Sequence, residues 1–125
     1  MADLFKYQPQ HEFYTEEGCY ITELSNSSAD EGCSIALARV EPGVTTEVHH
    51  LLGTIERYVI LEGQGRIKSG TLSGTLLTPK DTIVIPANEP QSIANESDQD
   101  LVFLCVCTPR FKPENYQTTL DEPQS

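Results

Sequence analysis

The chain has 125 residues, a formal charge of −11 and a pI near 4.5, which is enough for one domain with its own core and no need of staples. That charge repels phosphate backbones and anionic lipid surfaces, and no basic run offsets it, so nucleic acid and membrane are not expected as partners. No run of about 18 apolar residues offers a membrane span, and Met1-Ala2-Asp3-Leu4-Phe5 lacks the basic and apolar regions of a signal peptide. The expected location is the cytoplasm.

Residues 1–18 read as an N-terminal extension with one short strand at most. Residues 19–24 alternate apolar and polar side chains and form a strand. Residues 25–32 are a loop of Ser, Asn, Asp and Gly, types that favour turns. Alternation returns over 33–40 and 45–51. The segment 55–61, rich in β-branched and aromatic residues, is the strongest strand of the chain. Strands follow at 64–68 and 70–77, split at Ser69-Gly70, then at 81–85 before Pro86, at 91–95, and at 101–108 before Pro109. Strands at intervals of about 8–12 residues, with turn signals between them and no 3.6-residue period, predict an all-β jelly-roll barrel. That domain spans 19–111. Residues 112–125, polar and Pro-bearing, read as a mostly disordered C-terminal tail.

The cysteines are Cys19, Cys33, Cys105 and Cys107, and none forms a C-x-x-C pair, which disfavours a zinc knuckle or a thioredoxin-like site. Cys105 and Cys107 share one strand face with Cα atoms roughly 6.6 Å apart, near the limit for a disulfide. Reduced, buried thiols are expected. A redox or metal role stays open for this pair, because it can face the same interior as His49.

One stretch organises the rest. Glu41-Pro42-Gly43 turns into a polar strand ending at His49-His50, and a loop through Gly53 leads to a second strand that starts near Glu56 and stops at Gly63. Imidazole nitrogen and carboxylate oxygen are donors that divalent transition metals take together. The same residues also describe a hairpin with a surface His pair and an exposed Glu. Strand alternation turns His49 inward and His50 outward, and His50 and His11 read as surface residues. Glu56 shares its face with Tyr58 and Ile60, where a carboxylate needs a metal, a cation or a donor beside it.

Gly43, His49, Glu56 and Gly63 fall at the separations of the first motif of the cupin superfamily, which the chain resembles. Pro86 and Asn95 fit the second motif over residues 80–95. The resemblance implies a double-stranded β-helix with an interior pocket. It also implies a metal site for one divalent ion of iron, manganese, nickel or zinc. The chain departs from the pattern where the motifs would place their remaining histidines, with Leu51 and Gln91 there instead. Lys80 and Asn88 replace two motif glycines. The implied ligands are therefore His49, Glu56 and Gln91. Tyr58 reads as core or as a ligand contact, and Arg110, after Pro109 at a strand end, as a surface charge, a bridge to an acidic neighbour or a contact for an anionic ligand. The resemblance suggests a small polar ligand in the barrel interior and a metal-dependent enzyme of isomerase or dioxygenase type. The alternative is a metal-free binding or sensor module built on the same residues.

Segment 55–61 carries Ile55, Val59 and Leu61 on the face opposite Glu56, and segment 101–108 is apolar on both faces. A half-exposed antiparallel strand should be polar outside, so both strands are expected to be covered twice. Cupins are often dimers, and a homodimer is the expected assembly.

Overall fold

A computed structural model describes residues 1–118. The strands are β1 (Phe13–Tyr14), β2 (Tyr20–Ser25), β3 (Ser34–Val40), β4 (His49–Leu51), β5 (Ile55–Glu62), β6 (Gly65–Lys68), β7 (Thr75–Leu77), β8 (Thr82–Ile85), β9 (Ser92–Ala94), β10 (Leu101–Thr108) and β11 (Tyr116–Thr118). They assemble into two facing antiparallel layers. One is a six-stranded sheet in the order β1-β2-β3-β10-β5-β8. The other joins the three-stranded sheet β7-β6-β9 to the pair β11-β4 through bridges at Thr45↔Ala94 and His49↔Gln91. The described strands do not pair into a closed barrel; the layers pack face to face, as a jelly roll does. Among the described residues no helix is long and apolar enough to cross a membrane.

The alternation in the sequence decides which side chains meet between the layers. Tyr58 and Ile60 of β5, Ile83 and Ile85 of β8, and Leu101 and Phe103 of β10 point inward from the large sheet, against Ile67 of β6, Leu77 of β7 and Ile93 of β9. A fully buried Ile or Leu contributes roughly 1.5–3 kcal/mol. The outer face of the large sheet is apolar too. Ile55, Leu61 and Val84 are exposed there, and Val59, Val102, Leu104 and Val106 are half-buried.

Two expected strands are shorter than the alternation suggests. In 45–51 only His49–Leu51 is a strand, with Thr45 making a single bridge. In 70–77 a turn of 3-10 helix, Gly70–Leu72, precedes β7, because Gly70 and Gly74 both take positive φ and break the extended chain. The larger correction is at the C-terminus. Residues 116–118, expected in a mostly disordered tail, form β11 and pair with β4 in the register Tyr116↔Leu51, Gln117↔His50, Thr118↔His49. The rest of that expected tail, 119–125, lies outside the described residues. β11 also accounts for His50, which is buried at 6% exposure rather than on the surface. With β11 on one side and the bridge to Gln91 on the other, β4 is an interior strand and not an edge.

The two motif positions that lack glycine keep the glycine conformation. Lys80 (φ 76°) and Asn88 (φ 68°) are the non-glycine residues with positive φ. Asn88 is anchored there, its Oδ1 accepting from the Gly53 N–H at 3.1 Å.

Candidate functional site

Between the layers, toward the end of the molecule where β4 and β11 lie, is a cavity of about 400 Å³. Glu56, Tyr58, Phe103, Cys105 and Cys107 line it from β5 and β10, and His49, Leu51 and Tyr116 line it from β4 and β11. Thr15, Glu16, Glu17 and Cys19 close it from the turn between β1 and β2.

His49 is held on three sides. Its backbone exchanges hydrogen bonds with Gln91, N to O at 3.0 Å and O from N at 2.8 Å. Its Nδ1 lies 2.8 Å from the Glu47 carbonyl oxygen. A carbonyl only accepts, so this contact assigns the hydrogen of the neutral ring to Nδ1 and leaves Nε2 with a free lone pair. The ring stacks on Tyr116 with centroids 4.9 Å apart and planes 17° from parallel. Glu17 Oε2 lies 3.8 Å from Nδ1.

Glu56 is buried. Gln91 Nε2 donates to its Oε1 at 2.8 Å, and the Cys107 thiol donates to its Oε2 at 3.7 Å. Burial raises its pKa above the usual carboxylate range, opposed by the His49 ring and by the bonds from Gln91 and Cys107. Glu17 is pushed up to about 7, again chiefly by burial, with a bond from Cys19 opposing and Glu47 adding to the rise. The thiols behave alike. Burial pushes Cys19 up to about 12 and Cys105 and Cys107 well above the ordinary thiol range, with Glu56 reinforcing both.

Of the expected site residues, His49, Glu56 and Gln91 come together as one bonded set. Tyr58 lines the cavity but is also core, packed on Phe103 at 4.5 Å between centroids. Arg110 is not brought to the cavity lining; its guanidinium bonds Asn26 Oδ1 at 3.1 Å and pairs with Glu31 at 3.2 Å. Glu17 and Tyr116 were not legible as site residues. Glu17 precedes Gly18 in a turn that carries no motif, and Tyr116 is one aromatic within a polar stretch. The alternation of Tyr116-Gln117-Thr118 was the only available hint of a strand there.

As a metal site this set falls short. Gln91 turns its amide nitrogen, a donor, toward Glu56, and Leu51 stands where a second imidazole would be. Among the described residues no three His, Cys, Asp or Glu side chains converge. One imidazole and one carboxylate are fewer than the three protein ligands that catalytic zinc keeps. The residues present do not fit a resident divalent ion.

The cupin domain family matches residues 36–107. The uncharacterized protein MJ1618 of Methanocaldococcus jannaschii is 34% identical over 107 residues, covering 82% of this chain and 83% of that one. The structure of KdgF from Halomonas sp. superposes with a TM-score of 0.77 at 12% identity, over 91% of this chain and 99% of that one. Pac13 of Streptomyces, described as a nucleoside dehydratase, superposes with a TM-score of 0.75 at 15% identity, over 94% and 92% of the two chains. At such identities the two structures establish the double-stranded β-helix and nothing about the reaction.

Proposed function

Because the chain belongs to the cupin domain family, we propose that its cavity takes up a small molecule and that His49 and Glu56 move protons on it as general base and general acid. One observation carries this reading: an imidazole with its tautomer assigned and a carboxyl whose pKa burial raises line the same cavity. A base and an acid whose environments push them into opposite roles are what proton-transfer chemistry needs.

In the isomerisation of an α-hydroxy carbonyl compound, His49 Nε2 takes the proton of the hydroxyl-bearing carbon while Glu56 gives its proton to the carbonyl oxygen. The imidazolium then returns its proton to the former carbonyl carbon as the Glu56 carboxylate takes the proton of the other hydroxyl, which becomes the new carbonyl. In a dehydration, His49 takes the same kind of proton and the hydroxyl leaves with the Glu56 proton as water. Gln91 and Cys107 hold the carboxyl in one orientation, and Glu47 holds the imidazole. Tyr58 and Tyr116 supply aromatic walls. Pac13, a nucleoside dehydratase on the same fold, makes loss of water the version to test first. No step requires a resident metal, in keeping with the donor set.

The test is a panel of nucleosides and hydroxy-carbonyl compounds incubated with the protein in D₂O and followed by proton NMR. Exchange at one carbon, reduced about 10²-fold or more in His49→Gln and in Glu56→Gln, is the expected result. Compounds that bind in the cavity and yet exchange no proton would reduce the reading to a binding module.

For the assembly, a second copy is the occupant that suits the apolar outer face of β10, β5 and β8. An isologous pairing sets one apolar stripe on another and needs no opposite charge across it. Light scattering at micromolar concentration should give a dimer mass, and Val84→Lys should give a monomer. Val84 is 58% exposed, so the change leaves the core untouched. A clean monomer for the unaltered protein would end this reading.

A further inference from the structure

We propose that the ligand of this cavity is a cation: a protonated amine carried on an apolar or aromatic body. The proposal rests on the reading of the cavity as a small-molecule site and names the class of molecule that it selects.

The ionisable groups of the lining are one-sided. Glu16, Glu17, Glu23 and Glu56 all line the cavity, and among the described residues no Lys or Arg does. The residues after Thr118 contain neither type. The nearby cations are engaged elsewhere: Arg39 with Glu12 at 2.7 Å, Arg110 with Glu31 at 3.2 Å, and Lys112 with Glu31 at 3.7 Å. The carboxylates also lie at graded depth. Glu16 and Glu23 are exposed, the Glu17 side chain is 18% exposed, and Glu56 is buried. A cation entering from solvent thus meets acceptors along its path, and an anion meets the same groups as a barrier. Among the described residues His49 is the only basic side chain in the lining, and Glu17 already faces it.

One further observation points to a donor-rich guest. The hydroxyl of Tyr116, a residue of the cavity wall, has no hydrogen-bond partner among the described residues. An ammonium carries only donors, whereas a carboxylate or phosphate carries acceptors, which this lining already has in excess. Phe103, Tyr58, Phe111 and Tyr116 supply ring faces and apolar area for the body of the ligand, and ring faces attract cations. The raised pKa of Glu17, at about 7, is what a carboxylate without a cationic partner shows.

The experiment compares three probes of similar size at pH 8.5, phenethylammonium, 2-phenylethanol and phenylacetate, by calorimetry and by the NMR shifts of Tyr116 and His49. The expected order is ammonium over alcohol by about tenfold, with phenylacetate weakest. Glu17→Gln should remove most of the preference for ammonium while leaving the alcohol unchanged. Glu23→Gln, at the exposed end, gives a smaller loss of the same sign and guards against a folding defect in the first variant. Alcohol bound in the cavity as tightly as ammonium, or full ammonium affinity in both variants, overturns the cation proposal and leaves the small-molecule reading in place. If none of the three probes shifts Tyr116 or His49 at millimolar concentration, both readings fall.

Discussion

The amide nitrogen of Gln91 stands 2.8 Å from Oε1 of Glu56, so a neutral donor occupies the place beside the carboxyl where the family motif would put an imidazole. One residue type thus separates a hydrogen-bonded acid from a metal ligand. The protein purified without a His tag should carry divalent metal well below one ion per chain. Leu51→His combined with Gln91→His completes the motif on two positions whose backbones already lie against His49, Leu51 along β4 and Gln91 across the bridge. Metal analysis after dialysis should then find close to one ion per chain in the double variant. Stoichiometric metal in the unaltered protein would show that the two-residue set binds after all.

The buried carboxyls make stability depend on pH in the direction opposite to the usual one. Folding raises the pKa of Glu17 to about 7 and raises that of Glu56, so the folded state binds more protons than the unfolded state between the two values. Stability contributed this way is complete below the unfolded carboxyl range and is lost as pH rises through 7. For Glu17 the span corresponds to about 3 kcal/mol at most. Denaturant midpoints taken from pH 5 to 8 should fall, and Glu17→Gln should flatten the curve. An unchanged slope in that variant would assign the dependence to other groups.

That pattern could not be read before the fold. Charge on Glu56 was visible as a problem, because it shares a strand face with Tyr58 and Ile60 and needs a partner there. Alternation placed β2 and β3, and apolar, β-branched runs between turn residues placed β5, β6, β8, β9 and β10, each to within a residue or two. The motif separations brought His49, Glu56 and Gln91 to one place. Glu17 and Tyr116 stayed hidden because each reaches the cavity through a pairing remote in sequence, not through a local period. Glu17 arrives by the hydrogen bond from Glu47 N to its carbonyl, and Tyr116 by β11. The place of Arg110 after a strand end left a ligand contact and a bridge to an acidic neighbour both open, and Glu31 with Asn26 draws it into the second role at the loop between β2 and β3.

The thiols should be slow. Cys19, Cys105 and Cys107 have pKa values raised by burial and by neighbouring carboxyls, so at neutral pH the thiolate that attacks an alkylating agent is scarce. Iodoacetamide at pH 7.5 should label these three at least about tenfold more slowly in the native protein than in denaturant. Fast labelling of Cys105 or Cys107 in the native state would make it a reactive residue.

Lys80 and Asn88 hold a left-handed conformation that costs an L-residue about 1 kcal/mol. Lys80→Gly should stabilise the fold by up to about that amount, less the greater chain entropy that glycine loses. Asn88→Gly should gain less or lose stability, because it removes the acceptor for Gly53 N–H. Equal gains at the two sites in urea melts would show that this bond contributes nothing.

Because β11 lies beside β4, the wall that carries Tyr116 comes from the last described strand of a chain whose opposite wall comes from near its beginning. Phe111, Pro113 and Tyr116 of the cavity lining lie past β10, so this wall is separate in sequence from the strands that form the core. A peptide fused just after Thr118, or a proteolytic trim before Pro113, alters the binding wall while leaving the hydrophobic centre in place, so such a product would be folded and yet lack its ligand.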